Sequence, residues 1–322
     1  RRHTSEGFVM EPYYTHEEIE EEQLAALQRT QQKKMGWLTQ PVVTYVDEKT
    51  TNGLIHKVLQ KGADALTLDL SKADLAKIEW TKLLKDIKLS DTPIFFRTGG
   101  QNLTLLRGLQ KFIAYRMKGG LTDDGLAEWM TTGQLSKTYF QELATISKDT
   151  QDSPQFRTVC VSSHVFHNAG ANAAQELAFT LASAVEYMDK LTDFGLSSEE
   201  AFSKLYFSIS VGTNYFMEIA KLRALRYMWE KIQRVWHPAK NTFDPCYIHA
   251  QTSTFYDAAV TPNTNWLRAT TEAMSAVIGG CDALTVHGYD AVFRTSDAFS
   301  ERIALNLSTL MKEESHLDKT TD

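Results

Sequence analysis

Short apolar runs alternate with longer stretches of helical periodicity through most of this chain. The strand-like runs fall at 41–46, 64–70, 93–97, within 113–121, and at 156–163, 205–211, 246–251 and 283–287. Amphipathic helix patterns lie between and after them. In 172–190, Ala174, Leu177, Ala178, Leu181, Val185 and Met188 make one apolar stripe. Phe216, Ile219, Ala220, Ala224, Tyr227, Met228 and Ile232 repeat it in 214–235, and Phe299, Ile303, Leu307 and Leu310 in 297–314. Asn172, three residues before Gln175, predicts a capping box at the head of the first stripe. Repeated strand–helix units predict parallel strands joined by helical crossovers. Eight of them predict an α/β fold, a (β/α)8 TIM barrel over 39–322. An open doubly wound sheet would carry a Gly-rich phosphate turn. Gly99-Gly100 and Gly119-Gly120 have neither its spacing nor its placement. Residues 1–38 read as an N-terminal arm, extended around Pro12 and helical over 17–34, with an acidic first turn suited to the positive end of a helix.

Composition narrows the class. A net charge of −6 gives no basic field for nucleic acid, and no apolar run approaches the ~20 residues of a membrane span. Cys160, Cys246 and Cys281 are odd in number, far apart and beside predicted strands. They predict reduced core residues of a cytoplasmic protein rather than a disulfide framework or a zinc site.

In a barrel the chemistry sits at the carboxyl ends of the strands. His164 and His167 follow the fifth run, His249 lies in the seventh and His287 ends the eighth, with Asn168, Gln251 and Asp290 beside them. They form either a mouth where neutral imidazoles meet a carbonyl or amide ligand, or a rim that merely satisfies its own polar groups. The absence of H-x-H and H-x-x-x-H spacing argues against a metal, and Ser162-Ser163-His164 lacks the G-x-S-x-G elbow of hydrolases. Lys221, Arg223 and Arg226 share one helix; a solvated face is the simpler reading, phosphate binding the alternative.

Several motifs then resemble one family. Thr4-Ser5-Glu6-Gly7 with Glu11-Pro12-Tyr13-Tyr14-Thr15 resembles the opening of methylmalonyl-CoA mutase chains. The stretch from Asn168-Ala169-Gly170-Ala171 to Gln175-Glu176-Leu177-Ala178 resembles their E-A-G-A-T-x-x-Q-E-L-A, and Ile219-Ala220-Lys221-Leu222-Arg223-Ala224 their I-A-K-x-R-A. His249-Ala250-Gln251-Thr252, Glu272-Ala273 to Gly279-Gly280, and Tyr289-Asp290 are similar as well. The resemblance implies a barrel that surrounds an acyl-CoA tail, an adenosylcobalamin cofactor and radical chemistry shielded by the protein. His249, Gln251, Lys221 and Arg223 keep the family type, as vestigial candidates for cofactor or substrate contact together with His287.

The departures matter more. Where catalytic chains carry a Tyr-His pair, this sequence has His164 and Val165. Asn168 replaces the glutamate of E-A-G-A, His287 stands at the asparagine of H-T-N, and Ala291 replaces an acid. The R-P-W-T-I-R-Q-Y run, the T-I-Q-N-D loop and the cobalamin domain's D-x-H-x-x-G motif are absent. This implies a non-catalytic small subunit with no catalytic residue of its own and degenerate positions at His164, Val165 and Asn168. It would bind no cofactor alone, adenosylcobalamin residing on the partner, a catalytic large subunit; expressed alone, the chain could form a homodimer. The alternative is an active mutase on a different acyl-CoA, using His164 for the lost imidazole.

Overall fold

The computed structural model describes residues 1–15, 20–31 and 34–319. It opens with a hairpin of Arg2–His3 (β1) and Val9–Met10 (β2), then helix Glu21–Thr30 (α1). There follow Leu38–Thr39 (β3), Val42–Thr44 (β4), Glu48–Gln60 (α2), Leu66–Asp69 (β5), Trp80–Leu83 (α3), Ile94–Arg97 (β6), Asn102–Gln110 (α4) and Gly119–Leu121 (β7). Gly125–Thr132 (α5) and Tyr139–Asp149 (α6) lead to Phe156–Arg157 (β8), Val159–Ser162 (β9), His164–Asn168 (α7), Ala173–Asp193 (α8) and Ser198–Lys204 (α9). Leu205–Val211 (β10), Tyr215–Trp236 (α10), Ile248–Thr252 (β11), Pro262–Ile278 (α11), Ala283–Thr285 (β12) and Ala298–Glu313 (α12) complete the alternation.

The strands form two five-stranded parallel sheets, in the orders β3-β12-β11-β10-β9 and β4-β5-β6-β7-β8. The same two chain segments edge both sheets. The run predicted at 41–46 begins earlier and splits at Gln40-Pro41: Gln40 N–H donates to Leu284 O, while Pro41, which has no N–H, only accepts, from Thr67 N. The run predicted at 156–163 splits at Thr158, whose N–H goes to Lys204 O. At each split the chain leaves one sheet and joins the other. The fourth run shrinks from 113–121 to Gly119–Leu121, because these two glycines are the strand. A Cβ on Gly119 would sit 2.0 Å from Ile94 O, and one on Gly120 2.0 Å from Arg157 O.

Helices cover the outer faces. The predicted stripe of α8 is buried through Leu177, Leu181, Ala184 and Met188, and Asn172 with Gln175 closes the predicted capping box. Two large apolar clusters result, one on each sheet. A third, small cluster lies between the inner faces: Phe95 from one sheet meets Cys160, Tyr206 and Tyr247 from the other. Lys204, 2 % exposed, ties the seam below β8 by donating to the carbonyls of Thr150, Ser153 and Phe156 at 2.5, 2.9 and 3.1 Å.

The arm lies along the chain's own surface. Asn172 Nδ2 donates to Ser5 O, and Arg29 pairs with Glu230 of α10 at 2.9 Å. The helix predicted over 17–34 is Glu21–Thr30, with 17–19 and 32–33 outside the described residues. No residue of α1 is buried, and Phe8, Tyr13, Tyr14 and Leu24 stay exposed.

Candidate functional site

The carboxyl ends of β9 to β12 bring His164, His249, Gln251 and His287 together. His164 opens α7 directly beyond β9. Its Nδ1 lies 2.5 Å from Ser210 Oγ, and its Nε2 lies 2.9 Å from Ser208 Oγ and 3.1 Å from Gln251 Nε2. An amide NH2 only donates, so Nε2 is the acceptor and Nδ1 carries the proton toward Ser210. One layer deeper, Thr285 Oγ1 gives its proton to Gln40 O at 2.6 Å. The 2.8 Å contact from His249 Nε2 to Thr285 is therefore donated by the imidazole, which leaves His249 Nδ1 buried without a partner.

Burial first, and then neighbouring cationic or imidazole groups, holds these rings neutral. His164 falls to about 3 through burial and His287, His249 to about 3 through burial and His164, and His287 to about 4 through burial and Arg97. Arg97, at the end of β6, faces them and pairs with Asp69 at 3.1 Å.

The sign of the resulting pH dependence follows. An unfolded histidine takes its proton near 6.5 and folded His164 only near 3. The stability from this depressed pKa is thus complete above about 6.5 and is lost as pH falls. For one histidine the loss at pH 5 reaches up to about 2 kcal/mol. Buried Glu272, raised to about 8 by burial and Asp257, works in the opposite sense. Subtracting a His164→Gln variant isolates the imidazole. Between pH 7 and 5 the natural chain should lose up to about 2 kcal/mol more than the variant in urea unfolding. Parallel curves would show that His164 is not held neutral.

The other candidates stand elsewhere. Val165 is half-buried on α7 and Asn168 is exposed at its end. Lys221 and Arg226 overturn the expectation of a solvated face, at 2 % and 4 % exposure. Lys221 Nζ contacts Glu176 at 2.8 Å and Glu218 at 2.6 Å and donates to Ser210 O; Arg226 pairs with Asp282 at 2.7 Å. Arg223 caps α11 by donating to Ile278 O, away from the mouth. Glu176 also receives His167 Nδ1 at 3.3 Å, and His167 Nε2 meets Ser253 Oγ at 2.7 Å. Sequence reading missed Glu176, Glu218 and the Arg97–Asp69 pair. The available signal was an acid at the head of an otherwise apolar helix stripe.

Below the histidines the inner faces meet in aromatic rings. Phe95 lies 5.4 Å from Tyr206, 6.2 Å from Tyr247 and 6.4 Å from His249, centroid to centroid. Tyr206 Oη donates to Leu121 O, and Arg157 stacks over Tyr247 at 4.2 Å. The neighbouring aromatic residues lie elsewhere: Phe207 packs outward on Trp229 and Phe255 is 49 % exposed.

The profile of the methylmalonyl-CoA mutase family matches residues 74–322. The chain belongs to this family. A methylmalonyl-CoA mutase small subunit of Porphyromonas gingivalis is 33% identical over 99% of this chain and 54% of its own length. One of Streptomyces virginiae is 33% identical over 89% and 47%. A methylmalonyl-CoA mutase of Escherichia coli is 34% identical over 52% of this chain and 24% of that protein. The chain thus spans about half the length of the small-subunit relatives it matches.

Mutase-family membership raises the question of a corrin cobalt. Among the described residues, no group of three or more His, Cys, Asp or Glu could hold a metal ion. Both ring nitrogens of His164 and of His167 are engaged, and the unpartnered nitrogen of His249 is sealed in the interior. None of these three imidazoles is free to ligate a cobalt. Among the described residues, no helix is long and apolar enough to cross a membrane.

Proposed function

We propose that this chain is the small subunit of a methylmalonyl-CoA mutase, supporting a catalytic large subunit and not turning over substrate itself. The observation that carries the reading is the 33% identity, over 99% of the chain, to a relative named as such a small subunit. In this reading the two sheets, sharing edge segments at both seams, are one (β/α)8 barrel over 39–322 preceded by an arm over 1–38. Adenosylcobalamin belongs to the large subunit, which carries the reaction between methylmalonyl-CoA and succinyl-CoA. Three free cysteines, all buried, suit the reducing cytoplasm. The competing reading, an active mutase using His164, is disfavoured because that imidazole commits both nitrogens to Ser208, Ser210 and Gln251.

The test is co-purification with a large chain carrying the Tyr-His pair and D-x-H-x-x-G. A stable one-to-one complex supports the proposal, and failure to associate refutes it. The exposed apolar residues of the arm give that complex a contact, and an obligate interface buries roughly 2,000 Å² or more. Deleting residues 1–34 should weaken assembly, or the homodimer formed when the chain is alone, while leaving the sheets folded. Size-exclusion chromatography with light scattering checks this; identical assemblies with and without the segment would rule out the arm as the contact.

A further inference from the structure

Glu272 of α11 is a sealed carboxyl group that makes no ion pair among the described residues. It is 1 % exposed; Oε2 accepts from Ser253 N–H at 3.0 Å, and Oε1 is buried without a partner. The charged groups facing it are Asp257 on the loop of residues 253–261, Glu218 on α10, and Arg268 on α11 itself. Arg268 gives its Nη1 to Asn265 Oδ1 at 2.8 Å. Lys221 of α10 is held by Glu176 and Glu218, and His167 of α7 reaches the group only through Ser253 Oγ at 2.7 Å. The Tyr256 phenol faces the same carboxylates, and burial first and then Glu218 raise its pKa. A buried carboxyl without a cation keeps its proton. Burial, followed by Asp257, pushes Glu272 up to about 8. Asp257 is raised by burial to about 6.

The loop of residues 253–261 adjoins Glu272 at both Ser253 and Asp257. None of residues 254–261 is buried. Phe255 and Tyr256 lean edge-on against His167 at 6.0 and 5.9 Å, with much of each ring exposed. One clasp holds the far side: Ala258 N–H donates to Asn265 Oδ1 at 3.0 Å, and Asn265 Nδ2 donates to Ala258 O at 3.1 Å. A segment with so little buried surface opens locally before the sheets do.

We propose that Glu272 and Asp257 form a pH-operated latch: the loop lies closed while Glu272 is protonated, and swings off α11 when Glu272 ionises, carrying Asp257 away and letting water reach the Glu272 carboxylate. The Ser253 N–H favours the ionised form, so Ser253 stays bound as the hinge and the Ala258–Asn265 clasp parts. Hydrated in the open form, Glu272 loses its proton near its ordinary 4.5; in the closed form it does so only near 8. Closure is therefore strongest below about 4.5, weakens as pH rises toward 8, and levels off above. The loop begins directly after Thr252, so its position shapes the rim of the mouth beside Gln251. The latch needs neither a large subunit nor a cofactor.

Hydrogen exchange on the full chain, read by mass spectrometry on peptides covering 254–261, tests the latch. Asp257 is ionised between about pH 6.5 and 8.5, so Glu272 is the group of this pair that titrates there. Corrected for the base catalysis of exchange itself, the opening constant of the segment should rise about tenfold or more over that interval. Glu272→Gln keeps an acceptor for Ser253 N–H but cannot ionise, and its opening constant should change by less than about threefold. Asp257→Asn removes the nearest repulsion and should cut the natural rise by about half or more. At each pH the segment should exchange well ahead of β10. A flat natural profile, an equal rise in Glu272→Gln, or simultaneous exchange of β10 would each overturn the proposal. If Glu272→Gln fails to fold, Asp257→Asn decides: a reduced rise supports the latch and an undiminished one overturns it.

Discussion

Purified alone and given adenosylcobalamin, this chain should not interconvert methylmalonyl-CoA and succinyl-CoA; under the proposed subunit reading, a mixture with a large chain carrying the Tyr-His pair should turn over. Stabilising charge on a migrating carbonyl requires a donor aimed at the oxygen, and one such donor is worth on the order of 10²–10³ in rate. Val165 offers none. His164 offers its one N–H to Ser210 and its lone pair to Ser208 and Gln251, so recruiting it would dismantle a closed network. Access is also obstructed, because Phe95, Tyr206 and Tyr247 meet across the inner faces where an extended acyl-CoA tail would pass. Calorimetry on the isolated chain should therefore show no micromolar binding of an acyl-CoA. Isomerisation by the chain alone would defeat the subunit reading, and tight acyl-CoA binding would defeat the obstruction.

Lys221→Met should destabilise the fold by about 3–5 kcal/mol, because it strands two buried carboxylates. Burial works against the charge on Lys221, but Glu218 and Glu176 outweigh it and raise its pKa. Burial likewise opposes the charge on Glu176, and Lys221 with the His167 hydrogen bond lowers its pKa overall. Combining Lys221→Met with Glu176→Gln should cost clearly less than the two single changes added together. Chemical denaturation near pH 7 reads both effects. Simple additivity would mean that the two side chains do not act as a pair.

Much of the strand–helix alternation could be read from sequence because its signals are local. The stripe of α8 and its Asn172–Gln175 box need only neighbours within a few residues. What escaped depends on distant partners. Lys221 finds Glu176 45 residues away and Arg226 finds Asp282 56 residues away, so a row of cations on one helix read as solvated when it was sunk. On β10 every residue is buried, yet the faces are marked by polar alternation: Tyr206, Ser208 and Ser210 point inward, and Leu205, Phe207, Ile209 and Val211 pack under the helices. The meeting of His164 with Ser208, Ser210 and Gln251 requires the register of three strands, of which the sequence shows only the separate runs.

The divided first strand also sets an order of assembly. Residues 42–157 contain every strand of one sheet, each paired with the next in sequence, so that sheet can form once this stretch has left the ribosome. Leu38–Thr39 is synthesised earlier and must wait, because its partner is β12. The hydrogen bond from Thr285 to Gln40 spans 245 residues, and that from Trp37 to Ser308 spans 271. Contacts of that span are slow to close. The nascent chain thus carries Leu38–Thr39, next to Trp37, unpaired until β12 has been made, and α12 then seals it through Ser308.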